Sequence, residues 1–203
     1  MKNKILKLFM LVLFLGTSLS AFEVGHAFHQ ENRDKLVIDK TTLEEVYKYF
    51  GKPEKNLVTK NHNGEFRILE YYFIHSGFSD GDMKILMLEL KDDVLIAYIY
   101  DSSHGDDATL FNQEEADNVK VGHKLRDVTL KVGHPSGEAN CPVNIHKYKD
   151  KCINGKSMKV WIYSPGTSMF SAADMETHIM FVGVNDDGII LEVTRELHVG
   201  DDI

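Results

Sequence analysis

The sequence predicts an α+β protein of two tandem ααβββ units whose antiparallel sheets lie side by side. Three observations lead there. A helix-and-turn segment occurs twice, the hydrophobic period falls from 3.6 to two after each copy, and the two-period stretches are joined by short polar turns. The doubled segment is Thr42-Leu43-Glu44-Glu45-Val46-Tyr47-Lys48-Tyr49-Phe50-Gly51-Lys52-Pro53. About eighty residues later it is answered by Lys124-Leu125-Arg126-Asp127-Val128-Thr129-Leu130-Lys131-Val132-Gly133-His134-Pro135. Both copies keep a Leu, a Val three residues on, a Gly five after that and a Pro two later. A self-match at a long fixed offset marks a duplicated structural unit.

In the first copy, Thr42 and Glu45 form a capping box, each side chain bonding the other's backbone N–H. Leu43, Val46, Tyr47 and Phe50 fall at i, i+3, i+4 and i+7, a single core-facing stripe. Gly51 suits the left-handed residue that ends a helix, and Pro53 forbids continuation. The second copy keeps Leu125, Val128 and Val132 on the stripe and ends at Gly133 and Pro135. Lys124 replaces the capping Thr. Ahead of each helix, Phe28 to Ile38 and Leu110 to Val121 are expected to form a short first helix.

After the first copy, residues 65–74 alternate as a strand. Met83 to Leu90 and Val94 to Tyr100 then read as a hairpin around Lys91-Asp92-Asp93. The matching pieces of the second copy are Met158 to Tyr163, His178 to Val184, a turn at Asn185-Asp186-Asp187-Gly188, and Ile189 to Leu197. Ser102 to Asp107 is the natural joint. The division is therefore 1–21 for a leader, 22–104 for the first unit and 105–203 for the second.

The leader reads as a secretory signal peptide: Lys2, Lys4 and Lys7, then an apolar run from Ile5 to Leu15, then small residues. Cleavage after Ser20, after Ala21 or after Ala27 is compatible with that pattern. The apolar run is too short to span a bilayer, which takes about 20 residues. With no Cys near the cleavage site, an exported chain without a lipid anchor is expected, periplasmic or secreted. Without residues 1–21 the chain carries 20 basic against 31 acidic residues. That balance argues against nucleic acid and anionic membranes as partners.

Cys141 and Cys152 are the sole cysteines. In an exported protein a matched pair is most simply a disulfide, closing a short loop that stabilises by about 2–3 kcal/mol. The competing reading, a metal held by Cys141, His146 and Cys152, lacks a fourth ligand at any common spacing. The ten histidines include no His-x-x-x-His pair backed by a carboxylate, and the acidic turns lack the ligand spacing of a calcium loop. Gly77-Phe78-Ser79-Asp80-Gly81 spells a nucleophile elbow, but that motif belongs between a strand and a helix of a parallel sheet. Here two antiparallel strands flank it. No catalytic residue, cofactor or metal is expected.

The segment Lys40 to Pro53 resembles the helix-turn signature of the SmpA/OmlA (BamE-like) family, and Val121 to Pro135 is a looser second match. The tandem arrangement is similar to the β-lactamase inhibitory protein (BLIP) family, in which a cysteine also follows the helix-ending Gly and pairs about a dozen residues on. The SmpA/OmlA resemblance implies a non-catalytic, exported, protein-binding component of the bacterial envelope. The BLIP resemblance implies the alternative, a secreted inhibitor or immunity-type protein that blocks an enzyme with its sheet face. In that family the face turned from the helices meets the partner, which marks the strand aromatics Tyr71, Phe73, Tyr98, Tyr100, Trp161 and Tyr163 as interface candidates. The partner is another protein, and the chain is expected to be a monomer.

Overall fold

The computed structural model describes residues 22–25, 27–76, 81–102, 112–141, 145, 157–163 and 176–199. The signal peptide, most of the Gly77–Gly81 motif and the joint after Ser102 lie outside the described residues, as do His146 and Cys152.

The elements run β1 (Phe22–Gly25), α1 (Gln30–Arg33), α2 (Leu43–Phe50), β2 (Lys55–Asn61), β3 (Gly64–Ser76), β4 (Gly81–Lys91) and β5 (Val94–Ser102). They continue with α3 (Gln113–Asp117), α4 (Leu125–Val132), β6 (Gly137–Asn140), β7 (Ser157–Tyr163), β8 (Glu176–Val184) and β9 (Ile190–Val199). Among the described residues, nine strands form one antiparallel sheet in the order β1-β3-β4-β5-β6-β7-β8-β9. β2 pairs with the other end of the β3 edge that β1 occupies.

This overturns the expected pair of tandem ααβββ units with separate sheets. The ladder does not stop where the first copy ends: Ala97, Tyr98 and Ile99 of β5 pair with Ala139, Glu138 and Gly137 of β6. A backbone edge left open there would strand its N–H and C=O groups, and β6 satisfies them. Gly137 permits the junction, because a Cβ there would sit 2.5 Å from the Tyr98 carbonyl oxygen. Tyr100 N–H donates to Ser136 O at 2.8 Å, and the Asn140 amide reaches the Asp39 carboxylate, so the two halves are bonded across the seam.

The doubled segment does shape both halves locally. Leu43 N–H, opening α2, donates to Asp93 O in the β4–β5 turn, and Leu125 N–H, opening α4, donates to Gly188 O in the β8–β9 turn. The α2 capping box is complete, with Thr42 N–H donating to Glu45 Oε2 at 2.9 Å and Glu45 N–H to Thr42 Oγ1 at 3.4 Å. Lys124 caps nothing with its side chain. The α3 end is held differently: the Arg195 guanidinium donates to Ala116 O and Val119 O, both at 2.7 Å.

Three apolar clusters hold the layers together. On the helix side, Val46 and Phe50 of α2 pack on Leu69, Tyr71, Leu86, Leu88 and Tyr100, with Phe28 among the rings. Farther along the same side, Val128 and Val132 of α4 and Ala116 of α3 pack on Met180, Val182 and Ile190. A third cluster, with Ala97, Ile99, Met158, Val160, Ile179 and Phe181, occupies the opposite face, because strand neighbours alternate.

Candidate functional site

Strand parity decides which residues can meet a partner. Leu69, Tyr71 and Phe73 of β3 point at the helices, so Ile68, Tyr72 and Ile74 point away from them. The register across the sheet extends this open face as rows. Leu57 stands opposite Ile68, Tyr72 opposite Ile85, and Val24 opposite Ile74, which in turn faces Met83. Leu57 is 56% exposed, and Val24, Ile68, Tyr72, Ile74, Met83 and Ile85 are half-buried on the face turned from the described helices. The Lys55–Glu70 ion pair (2.7 Å) crosses this face between the Leu57–Ile68 and Tyr72–Ile85 rows, and Lys91, whose amine lies 5.8 Å from the Phe66 ring centroid, stands at its end.

The same face is closed farther along. Ile145 is buried over the third cluster, and its N–H donates at 3.0 Å to Glu89 Oε2, a carboxylate with no exposed surface. Cys141 packs half-buried against that cluster. The open lane is thus confined to the half of the sheet built from β1 to β5.

Four of the six expected interface aromatics fall on the wrong side. Tyr71, Phe73, Tyr98 and Tyr100 are 1, 8, 8 and 0% exposed and form core with α1, α2 and the Phe28 ring. Tyr71 donates to Gly51 O at 3.1 Å, and Arg33 stacks over Tyr100 at 5.2 Å. Burial raises the phenol pKa of Tyr71 and of Tyr98 well above its ordinary value; Tyr47 and Glu54 add to the first, Glu138 to the second. Trp161 and Tyr163 lie on β7, opposite Met180 and His178 in register; their side chains are outside the described residues. The pairing of Cys141 with Cys152 depends on a residue outside them as well.

The lane residues were missed because β3 is apolar on both parities. Period alone cannot say which side of such a strand the helices cover. Tyr72, flanked by Tyr71 and Phe73, carries the lane's aromatic ring.

A cleft of about 410 Å³ between α3 and α4 is lined by Glu115, His123, Lys124, Asp127 and Lys131, charges of both signs. Among the described residues no three His, Cys, Asp or Glu side chains converge on a metal position. No described helix is long and apolar enough to cross a membrane.

No family model and no curated protein matches the chain by sequence, so the SmpA/OmlA likeness rests on the quoted residues alone. By shape, the chain falls in the class of open-faced sheets backed by short helices. A crystal structure at 1.40 Å of a candidate beta-lactamase inhibitor protein from Streptococcus mutans shares this fold, with a TM-score of 0.50 and 14% identity. The match covers 84% of this chain and 98% of that one.

Proposed function

We propose that the chain is an exported, non-catalytic protein that holds another protein on the open apolar lane of its sheet, in an inhibitor-type role. The lane carries the proposal: an aromatic and several aliphatic side chains left half-buried around an ion pair have the make-up of a docking patch. The fold shared with the streptococcal protein favours inhibition over the envelope-assembly reading, which has no family match behind it. The strongly acidic chain suits a partner whose rim is basic.

The test uses purified mature protein against a panel of exported hydrolases that includes a β-lactamase, scoring inhibition and binding. Tyr72→Ala with Ile85→Ala is expected to weaken the complex by at least about 30-fold, the weight of a hot spot of 2 kcal/mol. The conservative core change Tyr98→Phe leaves affinity unchanged. A complex indifferent to the double change sinks the sheet-face reading.

A further inference from the structure

The sequence allows signal-peptide removal after Ser20, after Ala21 or after Ala27, and the structure separates these sites. We infer that the chain is cut before β1, at Ser20 or Ala21, and that the freed N-terminal residues become the edge strand of the docking face. This rests on the export reading above. The step is hydrolysis of one peptide bond by a signal peptidase. Water adds across the bond, leaving a carboxylate on the leader and an ammonium on the mature chain.

β1 is part of the sheet, with Phe22, Glu23, Val24 and Gly25 in register with Ser76, His75, Ile74 and Phe73. Val24 ends the apolar row that runs through Ile74 to Met83. A cut after Ala27 removes both the strand and that end of the lane. Gly25 is fitted to its place: its φ is +84°, and a Cβ there would sit 1.8 Å from the Tyr72 carbonyl oxygen. Only a residue without a side chain tolerates that conformation and that approach.

The late site fails for a second reason. Phe28 is 4% exposed, with the rings of Phe50, Tyr71 and Tyr100 at 6.2, 6.5 and 6.0 Å. Its carbonyl accepts from the Lys84 ammonium at 3.3 Å, and Lys84 is itself 4% exposed. Cutting after Ala27 would put a new ammonium on the nitrogen of this same residue. A second cation would then lie on the residue whose carbonyl already holds the first, where water is scarce and a new charge is costly to bury. Cutting upstream leaves a neutral amide there.

Expression of the full chain in a secreting bacterial host, followed by intact mass and N-terminal sequencing of the exported product, decides the matter. A start at Ala21 or Phe22 is expected. A start at Phe28 overturns this inference and leaves export standing. A cell-retained chain still beginning at Met1 overturns the export reading and this inference with it. A chain made to begin at Phe28 is expected to melt lower by on the order of 5 °C than one beginning at Phe22. Equal melting would overturn the structural role given to β1.

Discussion

Tyr71 and Tyr72 are adjacent tyrosines on one strand, and the two faces of the sheet give them opposite work. Tyr71 is 1% exposed, its ring lies 5.6 Å from Phe50 and 6.5 Å from Phe28, and its hydroxyl donates to Gly51 O at 3.1 Å. Truncation to Ala removes a packed aromatic ring and leaves a cavity beneath α2, a loss of about 3–5 kcal/mol by the usual scale for large core aromatics. Tyr71→Phe keeps the packing and deletes one hydrogen bond, leaving the Gly51 carbonyl short of a donor, for about 1 kcal/mol. Tyr72 is half-buried on the open lane, so Tyr72→Ala is expected to cost no more than about 1 kcal/mol. Urea titration followed by far-UV circular dichroism measures all three, and the slope of each transition shows whether the unfolded states remain comparable. If Tyr72→Ala proves as damaging as Tyr71→Ala, the assignment of faces is wrong and the docking lane goes with it.

Other expectations follow from the same geometry. Arg195→Met removes the guanidinium that binds Ala116 O and Val119 O, and should cost about 2 kcal/mol, with amide exchange rising first across α3 and the residues after it; unchanged exchange there would refute the anchoring role. Tyr71 and Tyr98 have their pKa values raised by burial, so their stabilising effect is fully present below the unfolded value near 10. It is lost as pH rises past that value, by about 1.4 kcal/mol per pH unit for each ring. Tyr98→Phe should halve this alkaline slope, and a flat profile in the parent chain would contradict the burial. Exported protein is expected to weigh two hydrogens less than its reduced form through a Cys141–Cys152 disulfide; identical masses would leave both thiols free.

What could be read from the sequence depended on where the information is local. α2 was legible in its bounds because its start and stop are short-range: Thr42 and Glu45 bond each other, Val46 and Phe50 share a face, and Gly51 closes the turn with a φ of 74°, while Tyr47 of the expected core stripe is exposed. β2 was illegible. Lys-Asn-Leu-Val-Thr-Lys-Asn has no alternation, every residue is exposed, and the strand is held by the β3 ladder with ion pairs from Lys55 to Glu70 and Lys60 to Glu65. β6 is four residues without a large apolar side chain, and its place follows from the close approach of Gly137 to Tyr98. Missing β6 turned one sheet into two. The strand aromatics expected to be exposed differ from the open face by one residue of parity, since Tyr72 sits between two aromatics that the helices cover.

Joining the halves in one sheet also makes them unequal, and the inequality bears on function. Each half covers its helix-side face with a short helix pair, and among the described residues the other face is closed by Ile145 over the third cluster. The closure is fastened from the first half. Glu89 of β4 buries its carboxylate completely beside a bulge in the ladder and accepts the Ile145 N–H. A carboxylate in that position is costly unless bonded, so the strand that borders the open lane also fixes where the lane ends. Cys141 sits on the closed side, and the half-buried Tyr72, Ile74, Met83 and Ile85 on the open side. Two short helix pairs thus support one continuous sheet, and its other face is covered differently along its length among the described residues.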